Sequence, residues 1–234
     1  MTHHQALRGN SCARLLLGVV LLWGCGAPAT LSRVERNSQA QTTLTGISSD
    51  DVLVVRTGVG ALSPPPRHLQ DGDQLSTGPT TRVLLRFANS MYVLVEPNTR
   101  VTIGTLTLNG PKSDRITLSQ YKGSPTVDEL KPVGKIYVRS RKGSTKTEWY
   151  SAQVRGTRYM MSLDADAHSV LQTYTGTVAV VSRHGAWPPI DVHEGEAVTV
   201  DGDGSPAKRA LTSEDLTSLD AAFEAFDRLL DLNF

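Results

Sequence analysis

The chain has 234 residues, of which 39% are hydrophobic, so it can bury a sizeable core and is not disordered throughout. Its 24 basic and 23 acidic residues give a formal net charge of +1, and loss of residues 1–24, with Arg8, Arg14 and no acid, would leave 22 against 23, or −1. A near-neutral chain lacks the basic excess that binding a nucleic-acid backbone requires, which excludes DNA or RNA as the main partner.

The first 24 residues have the layout of a signal peptide. A positively charged flank over residues 1–14 precedes the short apolar run Leu15–Trp23. In a helix this run would rise only about 14 Å, roughly half the thickness of the hydrocarbon layer, so it cannot span a membrane by itself. We therefore expect residues 1–24 to direct export.

The apolar run closes on Leu22-Trp23-Gly24-Cys25, which resembles the lipobox of bacterial lipoproteins. The resemblance implies that Cys25 is acylated on its sulfur and becomes the new N-terminus. Two or three acyl chains suffice for stable membrane attachment. Gly26, in place of the Asp that retains Gram-negative lipoproteins in the inner membrane, implies sorting to the outer membrane, facing the periplasm.

Cysteine usage favours the same interpretation. Cys12 would leave with the signal, so Cys25 would be the only cysteine of the mature chain and no intramolecular disulfide could form. A lone free thiol is a liability in an oxidising compartment, and acylation removes it. The alternative is a plain secretory signal cut near Ala27 or Ala29, with Cys25 discarded.

The mature chain divides into three predicted parts. Residues 25–50 form a lipidated N-terminus and flexible tether, because residues 26–46 are small, polar and without sustained periodicity. Residues 51–204 form a β-domain, and residues 205–234 hold a C-terminal helix.

Short β-rich runs separated by turn residues predict an all-β fold of successive short strands and hairpins, stacked or solenoid-like, with no helix between strands. Alternation is clear in several runs, for example where Val83, Leu85 and Phe87 share one face. The predicted strands are Val52–Thr57, Arg82–Phe87, Met91–Val95, Val101–Leu106, Arg115–Leu118, Lys135–Ser140, Thr147–Val154, Thr157–Leu163, His168–Tyr174, Thr177–Ser182 and Ala197–Val200.

One amphipathic helix is predicted at the end of the chain. Thr212 is placed as its N-cap, with Asp215 three residues on, and Leu211 and Leu216 are placed as a hydrophobic staple. Leu216, Leu219, Phe223, Phe226 and Leu230 then recur at helical spacing, which predicts a helix docked on the β-core. A helix that docks on a partner is the alternative.

Three blocks of sequence resemble the FecR domain in their order and spacing. The first is Gly72-Asp73-Gln74-Leu75-Ser76-Thr77 with the strands that follow it. The second is Val154-Arg155-Gly156-Thr157-Arg158-Tyr159 followed by Thr175–Val180, and the third is Val192-His193-Glu194-Gly195-Glu196. The resemblance covers about residues 51–200 and implies a periplasmic, all-β domain used for protein contacts and signal relay, not an enzyme.

The residues that could bind a metal or catalyse a reaction also indicate a protein that is not an enzyme. The histidines are scattered without metal-ligand spacing, so no metal site is predicted. The chain contains no nucleophile motif, phosphate-binding loop or intact dinucleotide fingerprint, so we expect no catalytic residues and no cofactor.

A basic segment is the one candidate binding surface. Between Glu129 and Glu148 it carries six positive charges and no acid, which predicts a positive hairpin edge. Lys-rich edges also resist aggregation, so a protected edge is one interpretation and an acidic partner is the other, whether lipid headgroups, a cell-wall glycan or an acidic protein face. The candidate contact residues are Lys131, Lys135, Arg139, Arg141, Lys142 and Lys146, with Tyr137 and Trp149 adding contact area.

The leading hypothesis is therefore a non-enzymatic outer-membrane lipoprotein whose FecR-like domain binds another, unidentified envelope protein as a scaffold or signalling adaptor. The alternative is a lipoprotein that binds the cell wall or a glycan through the basic segment 131–146.

Overall fold

The computed structural model describes residues 29–41, 44–87, 91–103, 115–117, 134–147, 149–164, 168–201 and 206–231. The chain is mostly β-strand with antiparallel sheets and one C-terminal helix, which confirms the predicted fold class. The elements are β1 (Ala29–Arg36), β2 (Gln39–Gln41), β3 (Val52–Arg56), β4 (Gly60–Leu62), β5 (His68–Leu69), β6 (Gln74–Thr77), β7 (Thr81–Phe87), β8 (Met91–Val95), β9 (Arg100–Thr102), β10 (Arg115–Thr117), β11 (Gly134–Lys146), β12 (Tyr150–Leu163), β13 (Ser169–Thr175), β14 (Thr177–Ser182), β15 (Ile190–His193), β16 (Glu196–Val200), β17 (Ala207–Ala210) and α1 (Ser213–Asp231).

The strands form two sheets. The large sheet runs in the order β17-β16-β13-β12-β11-β8-β7-β1-β2, and the small sheet runs in the order β4-β3-β6-β9. Strand β14 also pairs with β12 and carries β15, while β5 pairs with β1. Among the described strand pairs, only β10 and β11 run parallel.

The two long strands β11 and β12 lie next to each other in the middle of the large sheet. β11 and β12 keep one register from Gly134 opposite Leu163 to Lys146 opposite Ser151. The buried positions of β12 change from even to odd numbers around Gly156, whose φ is +70°. A glycine in this left-handed region bends the strand without ending its pairing. For that reason the two strands predicted over residues 147–163 are one continuous strand here.

The large sheet is buried on both faces at strands β7, β8, β11 and β12. One face and the small sheet share the main core, which contains Val54, Leu75, Val83 and Tyr159. The other face is covered by α1, whose Leu219, Phe223, Phe226 and Leu229 pack against Leu84, Leu94, Tyr137 and Met160.

The docking of α1 on the β-core is confirmed, but the predicted stripe differs at both ends, since Leu229 is buried and Leu230 only partly so. Leu216 is 39% exposed, because the buried stripe begins one turn later at Leu219. Phe223 lies 4.8 Å from Tyr174 and 5.5 Å from Tyr137 between ring centroids. No helix in the described part of the chain is long and apolar enough to cross a membrane.

The predicted tether is wrong for residues 29–41. Ala29–Arg36 is a strand of the large sheet, paired with β7 and β5, and Gln39–Gln41 continues it as a hairpin. The pairing shifts register between Leu31 and Arg33, so the buried side chains Leu31 and Val34 are three residues apart. A bulge of this kind hides the two-residue alternation that a strand otherwise shows in its sequence.

The Gly-Asp motif that opens the family resemblance stabilises the small sheet. Asp73 is fully buried and accepts two hydrogen bonds from Arg56, both at 2.8 Å. The Thr77 hydroxyl donates to the Glu96 carbonyl at 2.6 Å and accepts from the Thr99 amide at 3.0 Å. At Gly78 a Cβ atom would collide with the Asp50 carbonyl oxygen, so only glycine fits. The motif residues are therefore structural.

Candidate functional site

A cleft of about 750 Å³ opens at the end of the large sheet where β1 begins. The register brings its walls together, since Thr30 of β1 lies opposite Arg86 of β7, and Arg139 of β11 lies opposite Tyr92 of β8 and Arg158 of β12. The last turn of α1 closes one side with Leu230 and Asp231.

Arginine dominates the lining of this cleft. Five guanidinium side chains reach it from three strands and one loop, against a single lining carboxylate, that of Asp231. The five are Arg67, Arg86, Arg139, Arg141 and Arg158.

Two of the five arginines hold α1 in place. Arg139 and Arg158 both donate to the carboxylate of Asp227, at 2.9 and 3.0 Å. The Arg158 guanidinium carbon also lies 6.0 Å from the centre of the Phe223 ring, within the range of a cation–π contact. The charges of these two side chains are thus partly neutralised, and their role is to dock the helix.

The other three arginines are exposed and form no ion pair within the residues that the structure describes. They are Arg67, Arg86 and Arg141, and we call them the free arginine triad. A guanidinium group presents planar, paired donors that match the oxygens of a carboxylate or phosphate. The cleft therefore presents three guanidinium groups without an ion-pair partner among the described residues, a donor pattern that matches an anion.

The same lining offers little for catalysis. Its other polar side chains are the hydroxyl groups of Ser32, Ser140, Thr157, Thr175 and Tyr92, and no histidine, cysteine or glutamate lines the described cleft. Nucleophilic catalysis needs a hydroxyl or thiol beside a base, and among the described residues no hydroxyl group of this lining bonds to the Asp231 carboxylate. Within the described residues, no group of three or more metal-ligating side chains is found.

The structure places only some of the predicted contact residues in the cleft. Arg139 and Arg141 line the cleft, whereas Lys135 lies towards the other end of β11, where its amide donates to the Thr99 hydroxyl at 3.0 Å. Burial raises the pKa of the nearby Glu96 carboxyl, and the charges of Arg82 and Lys135 oppose that rise.

The two predicted aromatic contact residues, Tyr137 and Trp149, do not line the cleft. Tyr137 is only 5% exposed beneath Phe223, so it supports α1 and cannot add contact area, which corrects that prediction. Trp149 packs against the main core, and its ring lies 6.2 Å from that of His184, away from the residues of the cleft.

Parts of the basic segment lie inside the sheet, whereas Ser140, Lys142 and Gly143 pair with β12 alone among the described residues, so a protected edge stays a prediction there. β11 pairs with β8 and β12 on its two sides at residues 136–139, and with β10 and β12 at residues 144–146. The edge interpretation is therefore wrong for these stretches, because both sides of the strand carry hydrogen-bonded neighbours. Lys142 and Lys146 belong to β11, while Lys131, Cys25 and Gly26 lie outside the described residues.

Sequence reasoning missed Arg67, Arg86 and Arg158 as members of one site. Arg86 was visible as a polar residue alternating with buried ones on β7, which is the signal of a solvent-facing side chain. Its proximity to Arg141 depends on the strand order β11-β8-β7-β1, which no local pattern contains.

Comparisons with known proteins found distant structural likeness. No family model matches the sequence, and no curated protein matches it. A crystal structure of a candidate anti-sigma factor from Parabacteroides distasonis is similar with a TM-score of 0.44 and 12% identity, over 62% of each chain. A second structure with the same description and organism has a TM-score of 0.40 and 11% identity, over 58% of this chain and 59% of the other. The match thus spans less than two thirds of either structure.

Proposed function

We propose that this chain is a non-enzymatic lipoprotein of the bacterial cell envelope whose FecR-like domain is a binding module, acting in protein–protein interaction as a scaffold or signalling adaptor. The observation that carries the binding role is the arginine cleft. Its three free arginines, Arg67, Arg86 and Arg141, face one concavity without an ion-pair partner among the described residues. Like charges gathered in one place repel each other, and an anionic ligand would relieve that repulsion.

The ligand chemistry is a carboxylate or a phosphate. Acidic protein faces, cell-wall glycans and lipid headgroups all present such groups. The alternative function of binding the cell wall would use the same cleft, because Arg139 and Arg141 are the residues of the basic segment that line it. Identification of the captured molecule after crosslinking from the cleft in native cells separates these functions.

The envelope location rests on the N-terminal sequence. We propose that Cys25 is acylated and that Gly26 permits sorting to the outer membrane, with the domain in the periplasm. A Cys25→Ser variant should then lose lipid labelling and move from the membrane fraction to the soluble periplasm, because acylation needs the thiol. A variant that is processed and still membrane-bound would contradict the anchor. Gly26→Asp provides a second test, since it should move the protein to the inner membrane.

A further inference from the structure

We propose that the arginine cleft docks on the anionic phospholipid headgroups of the membrane that holds the protein, giving the domain a second, electrostatic attachment. This inference rests on the proposed lipid anchor at Cys25. It goes further by naming the ligand of the cleft and the orientation of the domain.

The chain between the anchor and the fold is short. β1 begins at Ala29, four residues after Cys25. Four residues span at most about 14 Å even when fully extended. Because the acyl chains hold Cys25 at the level of the headgroups, the start of β1 lies within that distance of the lipid surface, whatever the conformation of residues 26–28.

The free arginines lie at the same end of the fold. Thr30 faces Arg86 across the β1–β7 pair, and the Leu31 amide donates to the Arg67 carbonyl at 2.8 Å. Neighbouring strands are about 5 Å apart, so both arginines flank the start of β1. The other end of β1, where Arg36 faces Thr81, is seven residues further on, roughly 23 Å away. The short connection therefore brings the cleft end of the sheet, and not the far end, to the bilayer.

The charge of the cleft suits an anionic membrane surface. The lining stays net positive after Asp231 and the helix carboxylate Asp227 are counted against the five arginines. Each basic residue near such a surface strengthens attachment roughly fivefold, so the free arginine triad would contribute on the order of a hundredfold.

The test uses the full, lipidated chain reconstituted into vesicles. Acylation occupies Cys25, so one added cysteine carries a fluorophore: Ser32→Cys in the cleft wall, or Thr80→Cys at the far end of β7 as the matched control. The vesicles carry nitroxide-labelled headgroups in phosphatidylcholine, with or without phosphatidylglycerol. We expect phosphatidylglycerol to increase quenching of the Ser32 label and to leave the Thr80 label nearly unchanged. The increase should disappear at high salt, because exposed charge interactions are screened over about 8–10 Å.

The Arg67→Gln, Arg86→Gln, Arg141→Gln variant supplies the second arm. It keeps polar side chains with amide donors but removes the charge, and it should lose the phosphatidylglycerol-dependent quenching while melting at the same temperature as the wild type. Quenching that is the same with and without phosphatidylglycerol would contradict the proposed lipid ligand. Equal phosphatidylglycerol-dependent quenching in the wild type and in this variant would contradict it as well. A label that stays unquenched in vesicles, together with crosslinks from the cleft to an acidic protein in native cells, would overturn it in favour of a protein ligand. A chain whose N-terminal peptide shows no acyl mass would instead refute the proposed anchor, and this inference with it.

Discussion

Asp73 is completely buried just before β6, where its carboxylate also accepts a hydrogen bond from the Gln70 amide at 2.7 Å. The hydrogen bond to Asp73 raises the pKa of the Arg56 guanidinium. Gly-Asp pairs are common turn formers, and the sequence alone does not distinguish a surface turn from this buried ion pair. The pairing of β3 with β6 brings Arg56 to Asp73 from 17 residues away.

Replacement of Asp73 by alanine should destabilise the fold by about 3 kcal/mol, because it leaves Arg56 and the Gln70 amide without their acceptor. Urea unfolding measures this change. The neighbouring Asp71→Ala is the matched control, since Asp71 is exposed and its loss should cost less than about 0.5 kcal/mol. Equal stability of the two variants would contradict the structural role of the motif.

Tyr137 predicts how stability changes at high pH. Burial, and secondarily the charge of Glu96, raises its pKa to about 12, from an ordinary value of 10. The native state therefore holds the neutral phenol while the unfolded chain ionises, so its stabilising effect is complete below pH 10 and is lost as the pH rises towards 12. Tyr137→Phe should lose less stability than the wild type between these pH values in denaturant titrations. An identical pH dependence in both proteins would show that Tyr137 is not buried.

At the level of single elements, the helix was predictable and β1 was not. Thr212 caps α1 as predicted: its hydroxyl accepts from the Asp215 amide at 3.1 Å, and its amide donates to the Asp215 carboxylate at 2.9 Å. These signals are local in sequence. Strand β1 depends on pairing with β7, whose partner residues lie 45 to 58 positions further along the chain, and its bulge breaks the alternation that would reveal it.

Truncation of the buried helix residue Phe223 to alanine should cost about 3 to 4 kcal/mol, because its ring is 1% exposed and contacts aromatic rings of both the sheet and the helix. Leu216→Ala is the control on the same helix, since Leu216 is 39% exposed and should change stability by less than about 1 kcal/mol. Thermal melts of the two variants report the difference. Similar melting temperatures would mean that α1 does not rest on the sheet in solution.

At the scale of the whole molecule, the sequence indicated the charge of the binding surface but not its shape. Arg139 and Arg141 stand out as part of a basic run, whereas Arg67 and Arg86 are isolated in sequence. They join the same cleft only through the order of the strands and the position of the helix end. Tertiary assembly of this kind leaves no periodic signal.

The helix contacts also decide which residues can test the cleft. Arg139 bonds to Asp227, so reversal of its charge would place two acids together and disturb the docking of α1 as well as any binding. Arg67, Arg86 and Arg141 carry no such structural contact among the described residues. Reversal of these three charges therefore changes the binding surface while the core stays intact.

The most direct measurement is the capture of anionic envelope components by wild type and by the Arg67→Glu, Arg86→Glu, Arg141→Glu variant, at low and high salt. The components are purified cell wall, detergent-solubilised envelope proteins and phosphatidylglycerol vesicles. We predict that the wild type captures at least one of these components. Salt should weaken this capture, because exposed charges are screened beyond about 8–10 Å. The variant should lose the capture at every salt concentration. Capture that is insensitive to salt and equal in both proteins would contradict the arginine cleft as the binding site.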